Sequence, residues 1–154
     1  MVNNTIEILK QKYEEKISEL LENKKVIITV NDTSFTWDNL NDLDDNGNIY
    51  GCVRLENRQP ISHFYLTELP GCCGVCVSYH AYVEQDFRNK GLGTLFNEFR
   101  KEIATALGYT ILLCTSTEKN KEQKNILEKN EWETIYQFEN KKTVNIVNLS
   151  ITCL

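Results

Sequence analysis

The chain has 154 residues, enough for one domain (1–154) that buries most of its unfolded surface without disulfides or a structural metal. Hydrophobic residues make up 41%, charged residues 25%, and the net charge is -5 with a pI near 5.1. That balance lacks the strong positive field of a general nucleic-acid binder, and no stretch approaches the roughly 20 apolar residues of a membrane span, so neither partner is expected.

Met1 leads into a polar, amphipathic stretch with no charged segment followed by an apolar run. No secretory signal is read, and a cytoplasmic location is expected. The cysteines Cys52, Cys72, Cys73, Cys76, Cys114 and Cys153 are then expected to be reduced thiols, several of them packed as small buried hydrophobes.

In chain order, residues 5–23 carry Ile6, Leu9, Tyr13, Ile17 and Leu20 at spacings of three and four, which predicts a helix with one apolar face. Residues 26–30 form a β-branched run and predict a strand. Residues 35–40 fit either state, and the Asn/Asp/Gly stretch 41–48 reads as a turn. Strands are predicted over 49–55, 62–69 and 75–83, with Pro60 and Pro70-Gly71 in the gaps. Residues 92–107 form the clearest helix, its buried face made of Leu92, Leu95, Phe96, Phe99, Ile103 and Leu107, with Gly108 where it ends. A strand over 110–114, a helix over 121–129 and strands over 134–138 and 143–151 follow. The fold class is α/β, a mixed sheet interrupted by helices.

The most informative stretch joins the strand ending at Val83 to the helix starting near Gly91. The first turn of a helix has backbone N–H groups without intrahelical partners, and with the helix dipole these favour an anion. Gly91 and Gly93 remove side chains that would keep a phosphate from the backbone. Arg88 and Lys90 add positive charge at the same mouth, and charge-assisted contacts are each worth roughly 1.5–3 kcal/mol. The alternative is a helix start that merely contains two glycines, each costing about 1 kcal/mol against alanine inside a helix.

Arg88-x-x-Gly91-x-Gly93 after an apolar strand resembles the Arg/Gln-x-x-Gly-x-Gly/Ala motif of the GNAT N-acetyltransferases. The run Asn120 to Trp132 resembles a second segment of that family, which starts with Asn after the next strand and ends in Gly-Phe; Glu131 and Trp132 stand at those two positions. The resemblance covers about residues 50–151 and leaves 1–49 as a divergent opening. It implies a GNAT-like acyl-CoA N-acyltransferase fold, a central mixed twisted sheet with helices on both faces, and acetyl-CoA as cosubstrate. The backbone of Ala81, Tyr82 and Val83 would pair with the pantetheine arm. The amides of Arg88, Asn89, Lys90, Gly91, Leu92 and Gly93, with Thr94, would hold the pyrophosphate, and Asn120 would contact the arm. A splayed pair of parallel strands, 75–83 and 110–114, would open the thioester slot. The activity implied is transfer of an acetyl group to a primary amine of a small molecule or protein.

A lysine-like amine has an unperturbed pKa near 10.4, so at pH 7 only about one molecule in 2,500 is neutral and nucleophilic. Family members supply a Tyr acid seven residues after the motif Asn, or a Glu base five residues before it or six before Val83. Those positions here are Leu127, Thr115 and Val77. Tyr79 and His80, beside the expected thioester, are the candidate replacements: His80 by its pKa, Tyr79 by sharing the strand parity of Val77. A bulge would exchange those facings.

Asp42-x-Asp44-x-Asn46-Gly47 matches the first half of a calcium loop, but the twelfth position, a bidentate Glu in that loop, is Val53. Cys72-Cys73-x-x-Cys76 has no second pair of ligands to complete a zinc set, so no metal is expected. His63 reads as structural, and Lys119, Lys121 and Lys124 as a solvated face, with Lys124 able to approach a phosphate. Asp38, Asp42, Asp44, Asp45 and Glu68 loosely favour a cationic acceptor. A non-catalytic acyl-CoA-binding module is the competing reading, and monomer or homodimer is expected.

Overall fold

The computed structural model describes residues 2–32 and 49–154. The ambiguous 35–40 segment, the turn over 41–48 and the calcium-like pattern lie outside them. Among the described residues seven strands form one sheet in the order β1-β2-β3-β4-β5-β7-β6: β1 (Val26–Asp32), β2 (Ile49–Leu55), β3 (Pro60–Glu68), β4 (Val75–Val83), β5 (Ile111–Thr117), β6 (Glu133–Asn140) and β7 (Asn145–Cys153). All neighbours are antiparallel except β4 and β5. A parallel pair needs a crossover, which α2 (Leu92–Ala106) supplies. The other helices are α1 (Val2–Leu20) and α3 (Lys121–Lys129).

Strand alternation sends Ile28, Val53, Phe64, Leu66, Cys76, Leu112 and Cys114 to one side, where they join Tyr13 and Ile17 of α1, Phe96, Phe99 and Ile103 of α2, and Leu127 and Trp132 in one buried cluster. Tyr13 meets Phe99 with ring centroids 5.2 Å apart, and Phe64 meets Phe96 at 5.0 Å. The expectation of helices on both faces is corrected for the described residues: α1 packs on α2, α2 on α3, and all three cover this one side. The cause is that α2 presents apolar groups to more than the sheet. Its Phe99 meets Tyr13 of α1, and its Gly93 lies against Ile126 of α3.

The end of α3 explains a departure from the family pattern. The Trp132 N–H donates to Leu127 O at 3.1 Å, closing the helix in a left-handed turn whose hydrophobic contact is Leu127 with Trp132. The turn requires a positive φ between them, and Glu131 adopts φ 65°. A side chain there costs about 1–2 kcal/mol. Glu131→Gly relieves that strain but adds freedom to the unfolded chain, so a net gain of about 0.5–1 kcal/mol is expected. Thermal unfolding checks it; the midpoint rises by about 1–4 °C.

Candidate active site

β4 and β5 are paired only from Val75↔Ile111 to Ser78↔Cys114 and then part. β5 continues to Thr117 on β7 instead. On its other edge β4 pairs with β3, but His63↔Tyr82 is followed by Tyr65↔Tyr79, so Phe64 faces both His80 and Ala81. This is a β-bulge. It places Tyr82 stacked on His63 at 5.3 Å and Tyr79 stacked on Tyr65 at 5.3 Å, on one face despite their odd spacing. The side chain of His80 lies outside the described residues.

Beyond Val83 the chain makes a 3-10 turn, Gln85–Phe87, and enters α2 through Asn89 at φ 61° and Gly91 at φ 88°. Left-handed residues in this alternation curl successive amides toward one point, a concavity that suits an anion. The Arg88 N–H is already bonded to Gln85 O at 3.2 Å, so it drops out of the expected set of free amides. Among the described residues, those of Asn89, Lys90, Gly91, Leu92, Gly93 and Thr94 have no acceptor within the protein. The first turn of α2 holds no acidic residue.

Arg88 ties the loop to the strand: its Nε donates to Val83 O at 2.8 Å and its guanidinium sits 5.8 Å from the Tyr82 ring centre. Ser62 Oγ donates to Tyr82 O at 2.7 Å. The carbonyls of Tyr82 and Val83 thus each accept a side-chain donor, while among the described residues the edge of β4 facing β5 is open past Ser78. A slot of about 90 Å³ runs between Ala81–Val83, Arg88, Gly93 and the start of α3. Gly93 forms its tight wall, since a Cβ there would stand 2.6 Å from Ile126 Cδ1. Asn120 caps α3, its Oδ1 accepting from the Gln123 N–H at 3.1 Å, and also lines the slot. Lys90 is exposed, 5.6 Å over the Phe87 ring, and Lys124 is held by Glu118 at 3.2 Å.

Where β4 and β5 part, a cleft of about 500 Å³ opens between Ser78, Tyr79 and Ala81 on one side and Cys114–Thr117 on the other, walled on the far side by Phe138, Asn140, Thr143, Asn145 and Val147. Tyr79 and Thr115 line it. Leu127 is in the core at 3% exposure, so its position supplies no acid. The sequence reading missed Arg100 and Asn97, both buried: both line a small void beside Ala81–Val83, and Arg100 also lines the cleft. The available signal was periodicity: position 100 follows Phe96 by four and precedes Ile103 by three, on the buried stripe of α2.

The thiols Cys72 and Cys73 are exposed, whereas burial pushes Cys76 up to about 12 and Cys114 up to about 11. Among the described residues no cluster of three or more His, Cys, Asp or Glu could hold a metal ion. No described helix is long and apolar enough to cross a membrane. With a thiol reagent at pH 8, Cys72, Cys73 and Cys153 are expected to react fast and Cys52, Cys76 and Cys114 only on unfolding; peptide mapping by mass spectrometry reads this. Because both raised thiols hold protons that the unfolded chain loses from about pH 9, stability falls as pH rises from about 9 through about 12.

No family model matches the sequence, and no curated protein matches it. Solved structures do match. A Bacillus cereus IAA acetyltransferase superposes with a TM-score of 0.67 at 13% identity, over 84% of this chain and 99% of that one. A GNAT-family acetyltransferase from Streptococcus pneumoniae gives 0.61 at 18% identity, over 73% and 69% of the two chains. A Bacillus anthracis acetyltransferase in complex with acetyl coenzyme A gives 0.60 at 14%, over 70% and 62%. The chain has the fold of the GNAT acetyltransferases.

Proposed function

We propose that the chain is an acetyl-CoA:amine N-acetyltransferase acting on a small molecule or protein. One observation carries the reading: six outward amides at the start of α2 adjoin a narrow slot along an open strand edge, and the slot leads to a cleft where two parallel strands part. The residues fit a diphosphate with an extended arm, since the loop offers unpaired donors, no acid in the first helical turn, and a missing Cβ at Gly93. Asn89 to Thr94 would hold the diphosphate. Ala81 to Val83, with Asn120, would take the arm.

Acetyl-CoA supplies an activated acyl group: the amine nitrogen bonds to the thioester carbonyl carbon, the C–S bond breaks with its electron pair on sulfur, and the amine proton is passed on, giving amide and thiol. The chain's part is placement and charge. The cleft holds the amine beside the bulge at His80–Ala81, where the extra residue leaves the ladder and frees backbone donors for a developing oxyanion. Tyr79 lines that cleft and, with His80, is our candidate to relay the amine proton.

The test is thiol release from acetyl-CoA across a panel of amines, with the acylated product identified by mass. Turnover that survives both Tyr79→Phe and His80→Ala removes those two from the chemistry. The buried Leu127 favours a second reading, an acyl-CoA-binding module without turnover. Coenzyme A binding with no thiol release from any amine would establish it.

A further inference from the structure

Arg100 is 2% exposed and has no acidic partner among the described residues. Its Nη1 donates to Ser78 Oγ at 3.0 Å, its Nη2 donates to Asn97 Oδ1, and its guanidinium stacks 5.3 Å from the Trp132 ring centre. All three neighbours are neutral. Among the described residues the ionisable groups that act on it, Cys76 and Cys114, are thiols that burial keeps protonated near neutral pH. Two donors of this cluster, Arg100 Nε and Asn97 Nδ2, are buried without an acceptor among the described residues. A buried cation left unpaired is strongly unfavourable, and buried donors are normally satisfied.

The cluster's position says what could neutralise it. Arg100 lines both the small void beside Ala81–Val83 and the large cleft. It lies eight residues along α2 from Leu92, about 12 Å at 1.5 Å per residue, so a diphosphate on the first turn does not reach it. The anion must come from the reacting end. The cleft wall has no Asp or Glu among the described residues; its polar groups are Ser, Thr, Asn, Gln and Tyr, with Arg100 the one cation. Asn145, on the same wall, has a buried Oδ1 with no donor among the described residues, a place for an N–H.

We propose that the cleft takes a carboxylate-bearing reactant, its carboxylate seated against Arg100. This deepens and rests on the acyl-transfer reading, and it favours an amino-acid-like acceptor over a polyamine. The carboxylate can be carried by the acceptor amine or by a dicarboxylic acyl group; the chemistry at Arg100 is the same. Of the acidic residues that loosely suggested a cationic acceptor, Glu68 is among the described residues, and it does not line the cleft.

The chain has four arginines, Arg54, Arg58, Arg88 and Arg100, so arginine-labelled protein gives few Nε–H NMR signals. With coenzyme A bound, the protein is titrated with amino acids and with the matching decarboxylated amines. A second arm compares succinyl-CoA with acetyl-CoA. The expected result is movement of the Arg100 signal by the carboxylate member of one arm and not by its partner, with that ligand binding at least about tenfold more weakly to Arg100→Gln. A response to amino acids places the carboxylate on the acceptor, and a response to succinyl-CoA places it on the acyl group. If Arg100 stays unmoved in both arms while coenzyme A binds, the proposal fails and a trapped water or the Trp132 stack alone satisfies the cation. If coenzyme A itself does not bind, the acyl-transfer reading fails first.

Discussion

Gly93→Glu is expected to weaken coenzyme A binding at least about a hundredfold, about 2.7 kcal/mol, while leaving the protein folded. A Cβ at position 93 would lie 2.6 Å from Ile126 Cδ1 and 3.7 Å from Val83 Cγ2, so the new side chain enters the slot between β4 and α3. Its carboxylate would then satisfy the same amides a diphosphate uses, and repel that group. Gly93→Ala separates the two effects: it displaces one terminal carbon of Ile126, a flexible neighbour, and adds no charge. Calorimetry on both variants, with thermal midpoints as the folding control, reads the result. Unchanged affinity in Gly93→Glu would remove the diphosphate from this helix start.

Phe99→Ala is expected to cost about 3–5 kcal/mol, lowering the thermal midpoint by about 6–20 °C. Phe99 is 0% exposed and joins three elements: its ring meets Tyr13 of α1 at 5.2 Å, Phe64 of β3 at 6.0 Å and Phe96 of its own helix at 5.5 Å. Truncation loses the transfer energy of the ring and leaves a cavity that close-packed neighbours on three sides cannot collapse into. Denaturant unfolding measures it. A loss below about 1 kcal/mol would mean that α1 is not packed on α2 as described.

Most of the architecture could be read from periodicity and punctuation. The bounds expected for β2, β4 and α3 agree with the structure, and α2 ends one residue early. β5 runs on to Thr117 because pairing with β7 carries Thr115, Ser116 and Thr117, residues whose polarity hid the strand. The helices' shared side could not be read, since a helix pattern shows that a face is buried and not which face of the sheet buries it. The bulge at His80–Ala81 was anticipated only as an option, because neither residue marks one. At the loop, glycine spacing pointed to amides that the structure leaves without acceptors, yet Arg88 is spent on Val83 and Gln85. Arg100 went unread because a charge on an amphipathic stripe is ordinarily taken for a side chain that reaches solvent.

The most direct measurement is an amide NMR titration of the labelled protein with coenzyme A. If a diphosphate sits on the first turn of α2 and an arm lies along β4, the largest shifts fall on Asn89 to Thr94 and on Ala81 to Val83, and saturate together. Saturating shifts elsewhere, or none at millimolar ligand, would contradict a coenzyme A site in this fold.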